Sequence, residues 1–587
     1  MNARGPGVRH SFTPHIINTG QRYWIGMMGC ALIAVLIISR LFWIQIIRSS
    51  GNSGQDIFVR RQKILKVLPS RGEISITDDH GQEELPAAAN QPFVTVYAVP
   101  PEVEEGGIVS EQLARLLSLD PKEVAAKLSK RDTQYAALKR RVDVATAQQI
   151  EQQHWKGIYT QSSAGRIYPE KELLGSITGF VRQDDDTLRG QYGIEGYFDK
   201  ELSGQKGWEY LLRDGRGRLI PAPGTSSSKP MDGINIILTI ERSVQFTACE
   251  ALKETVDRFK ALGGSVIVLN PKTGAIRALC SLPSFDPNSY NAVGDIGVYN
   301  HLAVDDAYEP GSVMKVITMA AGIEEKAVNP KTTYVDQGFV SIGPDTIHNA
   351  ADKSYGLQDM VGVLKESINT GAVFVAQRLG GDRLTKYIKN FQFGQLTGIE
   401  LPNENSGWLS SLGKPQFIYT ATASFGQGIT VTPIQLARAF SAIANGGELV
   451  APTIIQSFRT SDGITINQVP KPKIRVISPE TSSLISSMMV EVVEEGHSKG
   501  AAAPGYYIAG KTGTAQIAAQ GARGYTSKFN HTFVGFGPVE DPSFLVVVSI
   551  KSPEALYAEA TAVPTAGKII KFLLPYDQIP PTRTISR

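Results

Sequence analysis

The chain has 587 residues, with 59 Lys and Arg against 56 Asp and Glu, a net charge of +3. At about 150 residues per domain, this length predicts roughly four units, or fewer large ones. The near balance of charge excludes a basic nucleic-acid coat and an acidic solvating tail, and a 42% hydrophobic content excludes a wholly disordered chain.

Residues Tyr23 to Ile47 form one apolar run, interrupted only by Arg40, with Trp24 and Trp43 near its ends. It is long enough to cross a bilayer, and its rings sit where interfacial aromatics are favoured. A buried core helix is the weaker reading, because nothing before the run would form a core. A cleaved signal peptide is also weaker: the run exceeds an h-region and no A-x-A site follows. Arg4, Arg9 and Arg22, with no acidic residue in the tail, predict a cytoplasmic tail at 1–22, a transmembrane anchor at 23–47 and the rest outside the inner membrane. The flank after the anchor is basic as well (Arg48, Arg60, Arg61, Lys63, Lys66), but long domains translocate largely regardless of such charges.

Beyond the anchor, strand-like runs such as PFVTVYAV (92–99) alternate with helical ones such as SEQLARLLSL (110–119). The Pro/Gly-rich joint PAPGTSSSKPMDG (221–233) sets the boundary between a β-rich first domain at 48–230 and a second at 231–587. In the second, INIILTI reads as a buried strand. A helix follows with Val244, Ala248, Leu252, Val256 and Phe259 on one face, and Gly263-Gly264 is expected to stop it. SVIVL and AIRAL flank the turn NPKTG as one hairpin, and TFVGFG with FLVVVSI forms another near the end. This pattern predicts an α/β (α+β) domain with one central antiparallel sheet flanked by helices. The three cysteines have no CxxC spacing. Cys30 lies in the apolar run. Cys249 and Cys280 have the chance to meet across helix and sheet, but are expected as buried free thiols.

None of the eight histidines forms an HExxH pair, and neither a GxSxG elbow nor a P-loop occurs, so no metal or cofactor is implied. The remaining route to acyl chemistry is a serine activated by a lysine three residues on, both on one helix face. Ser-x-x-Lys starts at Ser203, Ser226, Ser312 and Ser411; Ser-x-Asn starts at Ser50, Ser289 and Ser367; Lys-Thr-Gly starts at Lys272 and Lys511. Each motif alone is weak. Lys272 sits in a hairpin turn, which explains its Gly. Ser312 follows Pro310-Gly311 and opens a stretch of helix formers, where its hydroxyl has the alternative of capping the helix.

Order separates these alternatives. Ser312-Val-Met-Lys315, then Ser367-Ile-Asn369, then Lys511-Thr-Gly-Thr514 resembles the triplet of the penicillin-recognising serine acyl-transferases. SFGQGITVTPIQLARAFSAIANGG, AGKTGTAQ and FVGFGPVEDP are similar to the transpeptidase domain of class B penicillin-binding proteins, and RGEISITDDHG, RIYP and GIEG to their pedestal, the dimerisation-type domain. YEPGS resembles the FtsI- and SpoVD-like cell-division and sporulation branch. The chain departs from the family's pattern at Asp79-His80, at Ile368 and at Glu241.

The resemblance implies a penicillin-binding/β-lactamase-like fold and a D,D-transpeptidase that cross-links peptidoglycan stem peptides without ATP. It implies Ser312 as nucleophile and Lys315 as its base, kept neutral by burial and by cationic Lys511. Ser367 would relay a proton, and Asn369 would orient Lys315 and hold the substrate amide. Lys511, Thr512 and Thr514 would bind the terminal carboxylate, with Gly513 allowing close approach. Backbone N–H groups of Ser312 and Thr514 would form the oxyanion hole. Arg71, Arg166 and Glu195 would form a buried polar centre that fixes the pedestal against the transpeptidase domain. The implied partners are stem peptides, an FtsW-type glycan polymerase and other divisome membrane proteins, and covalent β-lactams; nucleic acid is not among them. A β-lactamase, a D,D-carboxypeptidase and a catalytically idle division scaffold are the competing readings. The pedestal argues against the first two and the intact triplet against the last. There is no room before the pedestal for a glycosyltransferase domain.

Overall fold

The computed structural model describes residues 19–47, 62–104, 106–184, 187–213, 219–221, 227–519 and 524–584. Arg4, Arg9, the side chain of Arg22, the flank 48–61 and residues 222–226 of the joint lie outside the described residues.

The chain divides into two compact units. The smaller comprises Met1–Val67 and Lys206–Pro230. It contains the helix Thr19–Phe42, which continues as a π-type turn, Trp43–Ile47. Tyr23–Ile47 spans 25 residues with mean hydropathy 2.3, long and apolar enough to cross a membrane. The same unit holds an antiparallel sheet in the order Gln62–Val67, Gly207–Arg213, Leu219–Pro221.

The larger unit comprises Leu68–Gln205 and Met231–Arg587. Its six-stranded sheet joins strands from both sides of residue 230. The pedestal strands Ile74–Asp78, Glu83–Asn90 and Arg166–Ile167 line up with Asn235–Glu241, Ile455–Arg459 and Thr465–Asn467. Ile236 pairs with Ile74 in the parallel ladder. A satellite sheet centres on Phe93–Ala98. Over it lies the helix Gly106–Leu117, whose Val109, Leu113 and Leu117 recur every four residues and are buried in one core with Val96.

The C-terminal half is built on a five-stranded antiparallel sheet. Its order is Ile276–Leu282, Gly263–Leu269, Phe544–Lys551, Tyr525–Gly537, Ala509–Ala518. Every residue of Gly263–Leu269 is buried, because both faces are covered. Val266 and Val268 enter a core with Leu252 and Ile569, from the helices Arg242–Arg258 and Ala562–Tyr576. Ile267 and Leu269, pointing the other way, enter the core of Ile317 and Phe440. This architecture matches the expected fold class.

Two local expectations are corrected. The helix ends at Arg258, and Gly263-Gly264 open the next strand rather than stopping the helix. A Cβ at Gly263 would lie 2.3 Å from the Leu282 carbonyl oxygen, so close strand approach is what demands glycine there. Cys249 and Cys280 are not free thiols but form a disulfide. Helix and strand pack so that their Cα atoms are 5.5 Å apart, within bridging reach.

Candidate active site

Ser312 occupies a 3-10 turn, Gly311–Val313, that runs into the helix Met314–Glu324. Its side chain caps neither element. The turn is anchored by Gly311 N–H, which donates to the Gly426 carbonyl at 3.1 Å. One turn along, Lys315 is 1% exposed.

Ser367 joins the helices Met360–Lys365 and Asn369–Leu379. Ser367 N–H donates to Leu364 O at 3.3 Å and Ile368 N–H to Val363 O at 3.0 Å, which is a Schellman termination. That motif puts Ser367 at φ +56°, where glycine is usual. A serine held in this conformation costs about 1 kcal/mol or more, and such strain concentrates at functional sites. Ile368, one of the departures named above, is the buried residue that follows the termination.

The strained turn brings Ser367 between two lysines. Lys315 Nζ donates to the Ser367 carbonyl and lies 3.2 Å from its Oγ. Lys511 Nζ, on the strand Ala509–Ala518, donates to the same Oγ at 2.9 Å. Lys511 is fully buried. Burial, reinforced by the charge of Lys511, holds the Lys315 ammonium well below the ordinary lysine range. Burial also brings Lys511 down, to about 7, against the opposing field of Glu559.

The Lys511 strand lies against the serine turn. A Cβ at Gly513 would fall 2.7 Å from the Pro310 carbonyl oxygen and 3.3 Å from Val313 Cγ1. Gly513 therefore lets the strand lie close to the turn that carries Ser312. Thr512 is buried, and Thr514 Oγ1 accepts from Ala558 N–H at 3.3 Å. Ser312, Lys315, Ser367 and Lys511–Thr514 thus converge.

Asn369 does not join them. Its Nδ2 donates to the His348 carbonyl at 3.0 Å, while Lys315 donates to Ser367. Orientation of Lys315 by the Asn369 amide is therefore not the arrangement found.

Sequence reading missed the support beneath this motif. Asp336, 2% exposed, accepts from Thr370 Oγ1 at 2.6 Å, from Asn349 Nδ2 at 2.9 Å and from Tyr355 N–H at 2.8 Å. Asn349 Oδ1 in turn accepts from Thr370 N–H at 3.1 Å. These bonds pin the helix at the residue after Asn369, yet no local spacing links positions 336, 349 and 370. Glu309, the glutamate of YEPGS, is a second residue of this kind. Its Oε1 accepts from Gly428 N–H at 2.9 Å, its Oε2 is buried without a partner among the described residues, and burial raises its carboxyl.

In the pedestal, Arg71 Nε and Arg166 Nε each donate to a different oxygen of Glu195, both at 2.7 Å. Glu195 is 0% exposed. Arg71 also reaches Asp199 at 2.8 Å, and Arg166 reaches Asn90 Oδ1 and the Gly72 carbonyl. All these partners lie between residues 71 and 199, so the cluster ties pedestal segments to one another. The departures have partners too. His80 Nε2 meets the Tyr576 carbonyl at 3.0 Å, and Glu241 pairs with Arg277, which also binds Asp577.

The penicillin binding protein transpeptidase domain model matches residues 264–571. The chain belongs to this family of penicillin-binding protein transpeptidases. The penicillin-binding protein dimerisation domain model matches residues 66–238, so the family's two-domain pattern spans most of the chain. The chain is 34% identical over 573 residues to stage V sporulation protein D of Bacillus subtilis, covering 95% of this chain and 86% of that one. It is 29% identical over 577 residues to a peptidoglycan D,D-transpeptidase FtsI homolog of Mesostigma viride, covering 93% and 94%. Among solved structures, a peptidoglycan synthetase from Bifidobacterium adolescentis aligns with a TM-score of 0.70 at 26% identity, over 90% of this chain and 99% of that chain. Membership is of the class B, FtsI/SpoVD type.

Proposed function

We propose that the protein is a serine D,D-transpeptidase that cross-links peptidoglycan stem peptides through an acyl-enzyme on Ser312. The observation that carries this reading is the Ser367 hydroxyl shared by two buried lysines, of which Lys315 lies one turn from Ser312. Neutral Lys315 takes the Ser312 proton as Oγ forms a bond to the penultimate D-alanine carbonyl carbon. The developing oxyanion is held by the N–H groups of Ser312 and Thr514, donors worth about 3–4 kcal/mol each in other acyl-transferases. The C–N bond then breaks, and the leaving D-alanine amine takes the proton from Lys315 through Ser367 Oγ. An amine of a second stem attacks the ester and loses its proton along the same path, and Ser312 Oγ leaves protonated. One amide replaces another, so no external energy source enters. Lys511, Thr512 and Thr514 bind the terminal carboxylate.

The family type supports a septal or sporulation role. Tyr23–Ile47 serves as a single-pass anchor with the N-terminus in the cytoplasm, beside an FtsW-type polymerase that supplies glycan. Replacing residues 23–47 with an unrelated span should abolish co-purification with that polymerase; retained co-purification removes the anchor from the contact.

A fluorescent penicillin should label the full-length protein covalently and fail to label Ser312→Ala. Labelling that persists in the variant removes Ser312 as nucleophile. Mass spectrometry of products should find cross-linked dimers; trimmed monomers alone would make the enzyme a carboxypeptidase.

A further inference from the structure

The proposed reaction asks two groups of one turn to keep fixed places: Ser312 Oγ, which attacks, and Ser312 N–H, which receives the oxyanion. The supports of that turn differ on its two sides. On one side it meets the strand Ala509–Ala518, where a Cβ at Gly311 would lie 3.1 Å from Ala515 Cβ and 3.4 Å from the Thr514 carbonyl oxygen. The sheet fixes this side, since Thr514 pairs with His531 and Ala515 with Asn530. On the other side the turn meets residues 424–428, which belong to no helix or strand. A Cβ at Gly426 would lie 2.1 Å from the Gly311 carbonyl oxygen, so this segment and the turn lie backbone to backbone. A segment without a ladder of its own has to be held by other bonds.

We infer that Glu309 is a positioning residue for this reaction, whose side chain ties the turn that carries Ser312 to the backbone of Gly426–Gly428 and so holds the nucleophile in place against the Lys511 strand. Glu309 stands three residues before Ser312. Its Oε1 accepts from Gly428 N–H at 2.9 Å, and Gly311 N–H donates to the Gly426 carbonyl at 3.1 Å. These two bonds run in opposite senses and join the same two segments. The far side of Gly428 is held as well, because the buried Ser411 Oγ donates to its carbonyl at 2.5 Å. Beside this clamp, Tyr308 N–H donates to the Val431 carbonyl at 3.0 Å and Val431 N–H to the Tyr308 carbonyl at 2.9 Å. Tyr525 OH reaches Glu309 Oε1 at 3.4 Å. The partners of Oε1 are thus an amide and a hydroxyl, not a cation, and the clamp uses the reach and the acceptor oxygen of Glu309. Losing it would free the turn on the side that the sheet does not hold, and a misplacement of about 1 Å costs about 10²-fold in rate.

This inference rests on the acyl-enzyme reading of Ser312. Its test is stopped-flow acylation of the full-length protein by a fluorescent penicillin over a range of concentrations. Such a series separates the dissociation constant of the first complex from the rate constant of acylation. Two variants part reach from charge. Glu309→Gln keeps the acceptor oxygen at full length and loses the carboxylate; its acylation rate constant should stay within about threefold of the wild type's. Glu309→Asp keeps the carboxylate and falls short of Gly428 N–H by a bond length. Its acylation rate constant should drop about 10–100-fold, with the dissociation constant changed by less than about threefold. A purely structural role would lower the fraction of molecules that label and leave the rate constant of the rest unchanged; that result overturns the inference. So does Glu309→Asp acylating within about threefold of the wild type, Glu309→Gln falling as far as Glu309→Asp, or a loss confined to the dissociation constant. Label retained by Ser312→Ala would bring down the acyl-enzyme reading itself. Label lost there, with Glu309→Asp at the wild-type rate, brings down only the assignment to Glu309.

Discussion

Two of the clusters of buried charge in this molecule are built on opposite principles. In the pedestal, Glu195 receives two guanidinium groups, and Asp199 takes a further bond from Arg71. Beneath Ser312, two lysines are buried around one hydroxyl. Burying a charge is expensive unless it is paired, and an unpaired group neutralises instead. The first cluster therefore keeps its charges and holds chain segments together. The second gives up a proton and becomes a base. Placing a cationic side chain inside a protein builds structure when a carboxylate meets it, and reactivity when another cation does.

Removing Lys315 should have the largest effect and should fall on one side of this comparison only. Lys315→Ala is expected to slow acylation about 10²–10⁴-fold while leaving the fold intact, because it deletes a buried amine that paid a desolvation penalty. Near-normal acylation in stopped-flow labelling would sink the lysine-base assignment. Glu195→Ala is the reverse case. It leaves two arginines buried without their carboxylate and should cost about 3–5 kcal/mol, read as a lowered melting temperature. An unchanged melting temperature and unimpaired function in cells would mean that the pedestal cluster is not structural.

The two clusters should also differ in their response to pH. The folded-state pKa of Lys511, about 7, lies below its unfolded value, so the unfolded chain binds more protons between the two. Stability should therefore rise with pH across that window, by at most about 1.4 kcal/mol per pH unit for this group. Lys511→Met should flatten the rise in denaturant melts. If the slope is the same in both proteins, Lys511 is not a source of it. The smallest effect is expected at Ser367→Gly. Glycine relieves the φ of +56° and should leave stability unchanged or raise it by up to about 1 kcal/mol, while acylation falls because the shared hydroxyl is gone. A loss of stability would show that the turn is not strained.

Much of the site was legible because its parts are local. Ser312 and Lys315 lie one helical turn apart, and Lys511 to Thr514 is one strand segment. For Ser312 and Lys315, helical spacing alone puts both side chains on a common face. The hairpins were legible for the same reason, since alternation and a Gly-containing turn are short-range signals. Other features were not. Asn369 has the right position in its motif, yet its amide turns to His348, because the lobe that presents the His348 carbonyl is placed by contacts through Asp336 and Asn349. The Cys249–Cys280 bridge depends on how a helix lies across a sheet, which neither segment encodes alone.

Sequence by itself determined the class of chemistry, the anchor-like run and the central sheet, because each rests on composition, period or ordered motif. Only the tertiary structure decided which charges are paired and which lysine meets which hydroxyl. Those relations join residues far apart in the chain. Their energies depend on burial and distance, quantities that come into being only when the core closes around them.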